Sequence, residues 1–137
     1  GKSFPIWYAV LSVSDENLVF TGGGPPPAIL RNGDSPGAEP RELEPDGPAI
    51  GITDLLPFAN CTVVLDPGAK LLLYSDGAVE IDLPGGEVGS QRQFFTFLAS
   101  LDPSDRQMER ILNRARALRE VLSDDCSLMQ VQYQPSR

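Results

Sequence analysis

The chain has 137 residues, 41% of them apolar, and a formal net charge of −8 from 19 acidic and 11 basic side chains. That length suits one domain with a modest core, and the acidic balance opposes phosphate backbones and anionic lipid, so neither nucleic acid nor a membrane is an expected partner. Histidine is absent, which excludes Ser-His-Asp and Cys-His catalysis and histidine-ligated zinc within the chain and leaves carboxylates, hydroxyls, backbone groups or a hard metal for any chemistry.

Residues 5–13 read as a strand, residues 14–17 as a turn and residues 18–21 as a second strand, a hairpin signal in which Trp7 and Tyr8 serve as core and edge residues. Gly22-Gly23-Gly24-Pro25-Pro26-Pro27 is expected to stop the second strand. It reads as a structural bend, because the Lys-Ser/Thr of a phosphate-cradling loop does not follow it. Residues 28–31 resume as a short strand. Residues 32–48 are rich in Gly, Pro, Asp and Glu and read as an exposed, mobile loop with a short strand at 41–43, and residues 47–51 as a tight apolar turn. Residues 60–65 and 70–75 are expected to form a second hairpin across Asp66-Pro67-Gly68.

A helix is predicted over 89–101, with Phe94, Phe95, Phe97, Leu98 and Leu101 on one broad face. Asp102-Pro103 has the form of a helix start, a capping side chain followed by proline. The helix it opens runs to about residue 122, with Met108, Ile111, Leu112, Ala115 and Leu118 inward. Its other face carries Arg106, Arg110, Arg114, Arg116 and Arg119 and reads as a solvated face. A last strand covers 126–133. Antiparallel strands, two helices and a final strand make an α+β pattern in one domain. No apolar run is long enough to span a bilayer, and no charged-then-apolar leader opens the sequence. Cys61 and Cys126 then read as reduced core residues, and a cytoplasmic setting is expected.

The candidate chemistry sits at Asp76. Leu71-Leu72-Leu73-Tyr74 is too apolar to lie anywhere but inside, so the end of that strand is fixed in space, and it ends on a lone carboxylate followed by Gly77, which lets other backbone or a ligand come close. A plain Ser-Asp-Gly turn accounts for the same residues. Asp124-Asp125 has two readings as well: a loop or cap after a helix, or adjacent carboxylates whose repulsion a cation relieves. Oxygen-only ligands would select Mg²⁺ or Mn²⁺.

These pieces, in order, resemble the SpoIIE-like branch of the metal-dependent protein phosphatases (the PPM family), which includes RsbU-type regulators of bacterial stress sigma factors. The glycine-proline run with Ala28 is similar to the family's Ala-Gly-His-Pro-Pro-Pro turn, and Gly47-Pro48-Ala49-Ile50-Gly51 to its Gly-x-Pro-Leu-Gly. Residues 65–80 resemble its Pro-Gly…Leu-Leu-Leu-Tyr-Ser-Asp-Gly-x-x-Glu segment. Gly86-Glu87-Val88-Gly89 resembles its Glu-x-Phe-Gly, and Asp124-Asp125-Cys126-Ser127-Leu128 its terminal Asp-Asp-x-Thr-Leu. The resemblance implies part of an α-β-β-α sandwich, with antiparallel sheets flanked by helices. It implies two Mn²⁺ or Mg²⁺ ions in the complete domain, which activate a water for attack on phosphoserine or phosphothreonine.

Carried over by position, Asp76 and Asp124 would be catalytic metal ligands, Asp125 a neighbouring ligand and Gly77 a residue giving close packing beside the site. Gly24 stands where the family usually has histidine, and the family's N-terminal Gly-Asp and Asp-Gly-His-Gly motifs are missing. The chain is therefore expected to be the C-terminal portion of the domain, to have little activity alone and to self-associate. The substrate implied is a phosphorylated protein such as an anti-sigma-factor antagonist. A non-catalytic, protein-binding regulatory domain with a degenerate phosphatase fold is the competing expectation.

Overall fold

A computed structural model describes residues 2–24, 26–35, 37–102, 106–118 and 125–136. β1 (Ile6–Ser12) and β2 (Asn17–Gly23) form the first hairpin, with Ile6 opposite Gly23 and Ser12 opposite Asn17. The glycine run does not stop β2 where the sequence suggested. The strand continues through Gly22 and Gly23, because backbone passes too close there for any side chain: a Cβ on Gly22 would lie 2.0 Å from the Ile6 carbonyl oxygen, and one on Gly23 2.1 Å from that of Pro48.

The other strands are β3 (Ala28–Arg31), β4 (Pro40–Leu43), β5 (Cys61–Val64), β6 (Lys70–Tyr74) and β7 (Leu128–Gln132). They build two antiparallel sheets, ordered β1-β2-β5 and β4-β3-β6-β7. This corrects one expectation. β5 and β6 do not pair as a hairpin: β5 pairs with β2 in the first sheet, and β6 pairs with β3 and β7 in the second. The Asp66-Pro67-Gly68 connection crosses between sheets. The Leu65 N–H donates to the Glu16 carbonyl in the first sheet, and the Gly68 N–H to the Tyr133 carbonyl beside the second.

The crossing places two cores. Between the sheets lie Leu18, Phe20, Leu30, Leu43, Val63, Leu71 and Tyr133, where Trp7 stacks on Phe20 and donates its indole N–H to the Leu43 carbonyl at 3.0 Å. On the opposite face of the four-stranded sheet, Ile29, Leu72 and Tyr74 meet Phe94, Leu98 and Ile111 from two helices, α1 (Gln91–Ala99) and α2 (Gln107–Ala117). The described chain is thus layered sheet, sheet, helices. Cys61 and Cys126 are both half-buried, Cys61 against the first core and Cys126 against the second.

α1 starts on a capping box. The Ser90 hydroxyl accepts from the Gln93 N–H, and the Gln93 side chain accepts from the Ser90 N–H. α2 begins at Gln107, after Arg106, so Asp102 is not its cap; residues 103–105 and 119–124 lie outside the described residues. The loop after β3 is anchored rather than loose. Buried Arg31 donates to the Ala38 carbonyl and to the Leu98 carbonyl at the end of α1, both at 2.7 Å, where a cation also suits the helix dipole.

Candidate metal-binding edge at the end of the central strand

β6 is a central strand. Leu71 faces the inter-sheet core and Leu72 and Tyr74 face the helices, so the strand is held from both sides and its last residues are fixed. Asp76 opens the 3₁₀ turn Asp76–Ala78, whose other residues, Gly77 and Ala78, are buried while the Asp76 side chain is exposed. The start of β7 lies against this turn. The Ser75 N–H donates to the Ser127 carbonyl at 3.0 Å and the Ser127 N–H to the Ser75 hydroxyl at 2.9 Å; that hydroxyl in turn donates to the Asp125 carbonyl at 3.2 Å. A Cβ on Gly77 would lie 2.1 Å from the Asp125 carbonyl oxygen. The fold therefore brings the segments carrying Asp76 and Asp125, far apart in sequence, into direct contact. Asp124 lies outside the described residues.

Ser75, which staples the two segments, was not singled out from the sequence. Its only signal is a hydroxyl directly before Asp-Gly, a common turn pattern. Tyr74 was read as part of an apolar run, yet it carries a polar link. The Gln91 amide donates to the Tyr74 hydroxyl and, at 3.4 Å, to Glu42. Burial pushes the Tyr74 phenol up to about 12; the Gln91 hydrogen bond opposes that shift, and the charges of Glu42 and Asp76 add to it.

As donors, Asp76 and Asp125 suit a hard divalent cation in kind, since both offer carboxylate oxygen. They do not suffice in number. Among the described residues no group of three or more His, Cys, Asp or Glu gathers that could hold a metal ion, whereas Mg²⁺ and Ca²⁺-like ions take about six or more oxygens. Gly24 also has no room for a larger side chain: its φ is +83°, and a Cβ would lie 2.8 Å from that of Pro5. Among the described residues no helix is long and apolar enough to cross a membrane.

Residues 1–134 match the family model of Stage II sporulation protein E (SpoIIE). The chain is similar to protein IcfG of Synechocystis sp., 31% identical over 96 residues, which are 69% of this chain and 15% of that protein. It superposes with a TM-score of 0.69 and 15% identity on the Mn-presoaked phosphatase domain of the cell fate determinant SpoIIE from Bacillus subtilis, covering 97% of this chain and 58% of that one. With the RsbU and RsbW domains of Rv1364c from Mycobacterium tuberculosis the TM-score is 0.67 at 27% identity, covering 99% of this chain and 38% of that one. The chain thus spans only part of the length of these relatives.

Proposed function

We propose, on the premise that this chain belongs to the SpoIIE family of PPM-type phosphatase domains, that it is the C-terminal portion of a protein serine/threonine phosphatase domain acting in bacterial signalling. The observation that supports this most is the contact between the Asp76 turn and the Asp125 segment, stapled by Ser75 and closed over Gly77. In this reading Asp76, Asp124 and Asp125 contribute carboxylates to a Mn²⁺ or Mg²⁺ centre. The described residues by themselves do not complete a ligand set. The substrate is a phosphorylated protein, such as an anti-sigma-factor antagonist, in the cytoplasm.

The incomplete ligand set among the described residues and the closed space at Gly24 favour a second reading, a regulatory domain that binds a protein partner and does no chemistry. Mn²⁺-dependent hydrolysis of a phosphopeptide, measured on a longer protein that contains this chain, separates the two. Asp76→Asn should lower the rate by about 100-fold or more, beyond the usual loss for an outer-shell partner. Full activity in that variant would end the phosphatase assignment of this site. Absence of activity in both forms would favour the binding domain.

A further inference from the structure

The arginines of α2, with Arg106 at its N-cap, do not form a uniformly solvated face. Arg106, Arg110, Arg116 and half-buried Arg114 are four of the chain's 11 basic residues, although the net charge is −8. Three of them, Arg106, Arg110 and Arg114, follow one another at four-residue spacing and line, with Asn113 and Phe97 of α1, a groove of about 530 Å³. The side of α2 that packs inward is a different one, marked by Gln107, Ile111 and Ala115.

The groove is preorganised at one end. The Arg114 guanidinium lies over the Phe97 ring, 5.0 Å from its centroid, a cation–π contact that restrains the side chain. One of its nitrogens, Nη1, is buried without a hydrogen-bond partner among the described residues, and burial alone lowers its proton affinity. At the other end Arg106 meets Glu109 at 3.5 Å, with both side chains largely exposed. A contact of that kind is weak and readily exchanged for another carboxylate.

We propose that this groove docks an extended, acidic segment of a partner protein. Positions four apart on a helix are separated by about 6 Å along its axis, and alternate residues of an extended chain by about 6.6–6.8 Å. Carboxylates at every second position of an extended peptide therefore keep step with Arg106, Arg110 and Arg114, and carboxylate–guanidinium hydrogen bonds are of the strong, charge-assisted kind. A nucleic acid would carry its phosphates beyond the groove onto a surface that is acidic overall, which opposes it. α2 also packs against the turn that begins with Asp76, so the occupant sits behind that edge. This inference stands whether or not the domain is a phosphatase.

The test is fluorescence anisotropy on the intact chain with a labelled peptide carrying Asp or Glu at three alternate positions between serines. Binding should weaken as salt rises. It should fall by at least about tenfold in Arg106→Glu and Arg110→Glu. It should hold in Arg41→Glu, which removes an exposed arginine on β4 outside the groove. Arg106→Gln and Arg110→Gln, which keep helix propensity, carry the same test where a charge reversal does not fold. Equal loss in Arg41→Glu, no saturable binding, or binding that inorganic phosphate abolishes at equal concentration would overturn the proposal. So would tighter binding of a single-stranded oligonucleotide than of the peptide.

Discussion

Gly77 shows how little space separates the two halves of the candidate site. A methyl group there meets the Asp125 carbonyl oxygen at 2.1 Å and its carbon at 2.8 Å, and both are backbone atoms that cannot rotate away. Gly77→Ala should therefore destabilise the fold by about 1–3 kcal/mol, the usual range for overpacking. Urea denaturation should show a lower midpoint with little change in slope; an unchanged midpoint would mean that the two segments are not held together.

Tyr74 gives a pH signature. Its phenol is raised from 10.0 to about 12, chiefly by burial, so the folded state holds the proton that the unfolded state releases. The stabilisation is fully present below about pH 10 and is lost as pH rises towards about 12. Tyr74→Phe should remove one late phenolate from the alkaline absorbance titration and flatten the decline in stability across that window. A titration curve identical to that of the unaltered chain would refute this.

Among the elements, α1 has the clearest local cause. Ser90 and Gln93 close both sides of a capping box, and Phe94 and Leu98 turn inward one helical turn apart. Ser90→Ala should cost about 1 kcal/mol, the typical loss of a serine cap, and thermal unfolding followed by circular dichroism would show it. No shift in the transition would mean that tertiary packing alone holds the first turn. β3 coincided with its expected bounds because Ala28-Ile29-Leu30 is a short apolar run between a proline turn and a polar loop. β5 and β6 were misassigned as partners for a physical reason. A proline-glycine turn between two strands looks the same whether the chain folds back within one sheet or crosses to another. The hydrogen bonds that decide it come from Glu16 and Tyr133, about fifty and sixty-five residues away along the chain.

At the scale of the whole molecule, the described residues leave one outer face covered and one bare. α1 and α2 lie on the four-stranded sheet, whereas the three-stranded sheet turns Tyr8 (59% exposed), Val10 (53%) and Val64 (65%) to solvent. β1 is also an edge strand, with one side of its backbone unpaired in the sheet. Exposed apolar faces beside open edges drive association. The isolated chain should therefore associate as concentration rises, and Val10→Lys should shift it towards monomer in multi-angle light scattering. A monomer at every concentration would show that this face is inert.

The order of motifs, the burial of Leu71 to Tyr74 and the suspicion attached to Asp76 followed from local chemistry, because hydrophobicity, turn residues and glycine act over a few neighbours. The meeting of the Asp76 turn with the Asp125 segment, the staple made by Ser75 and the cation–π contact of Arg114 with Phe97 did not. Each joins groups distant along the chain, and only the pairing of β6 with β7 and the packing of α2 beside α1 decide which of them come within bonding distance.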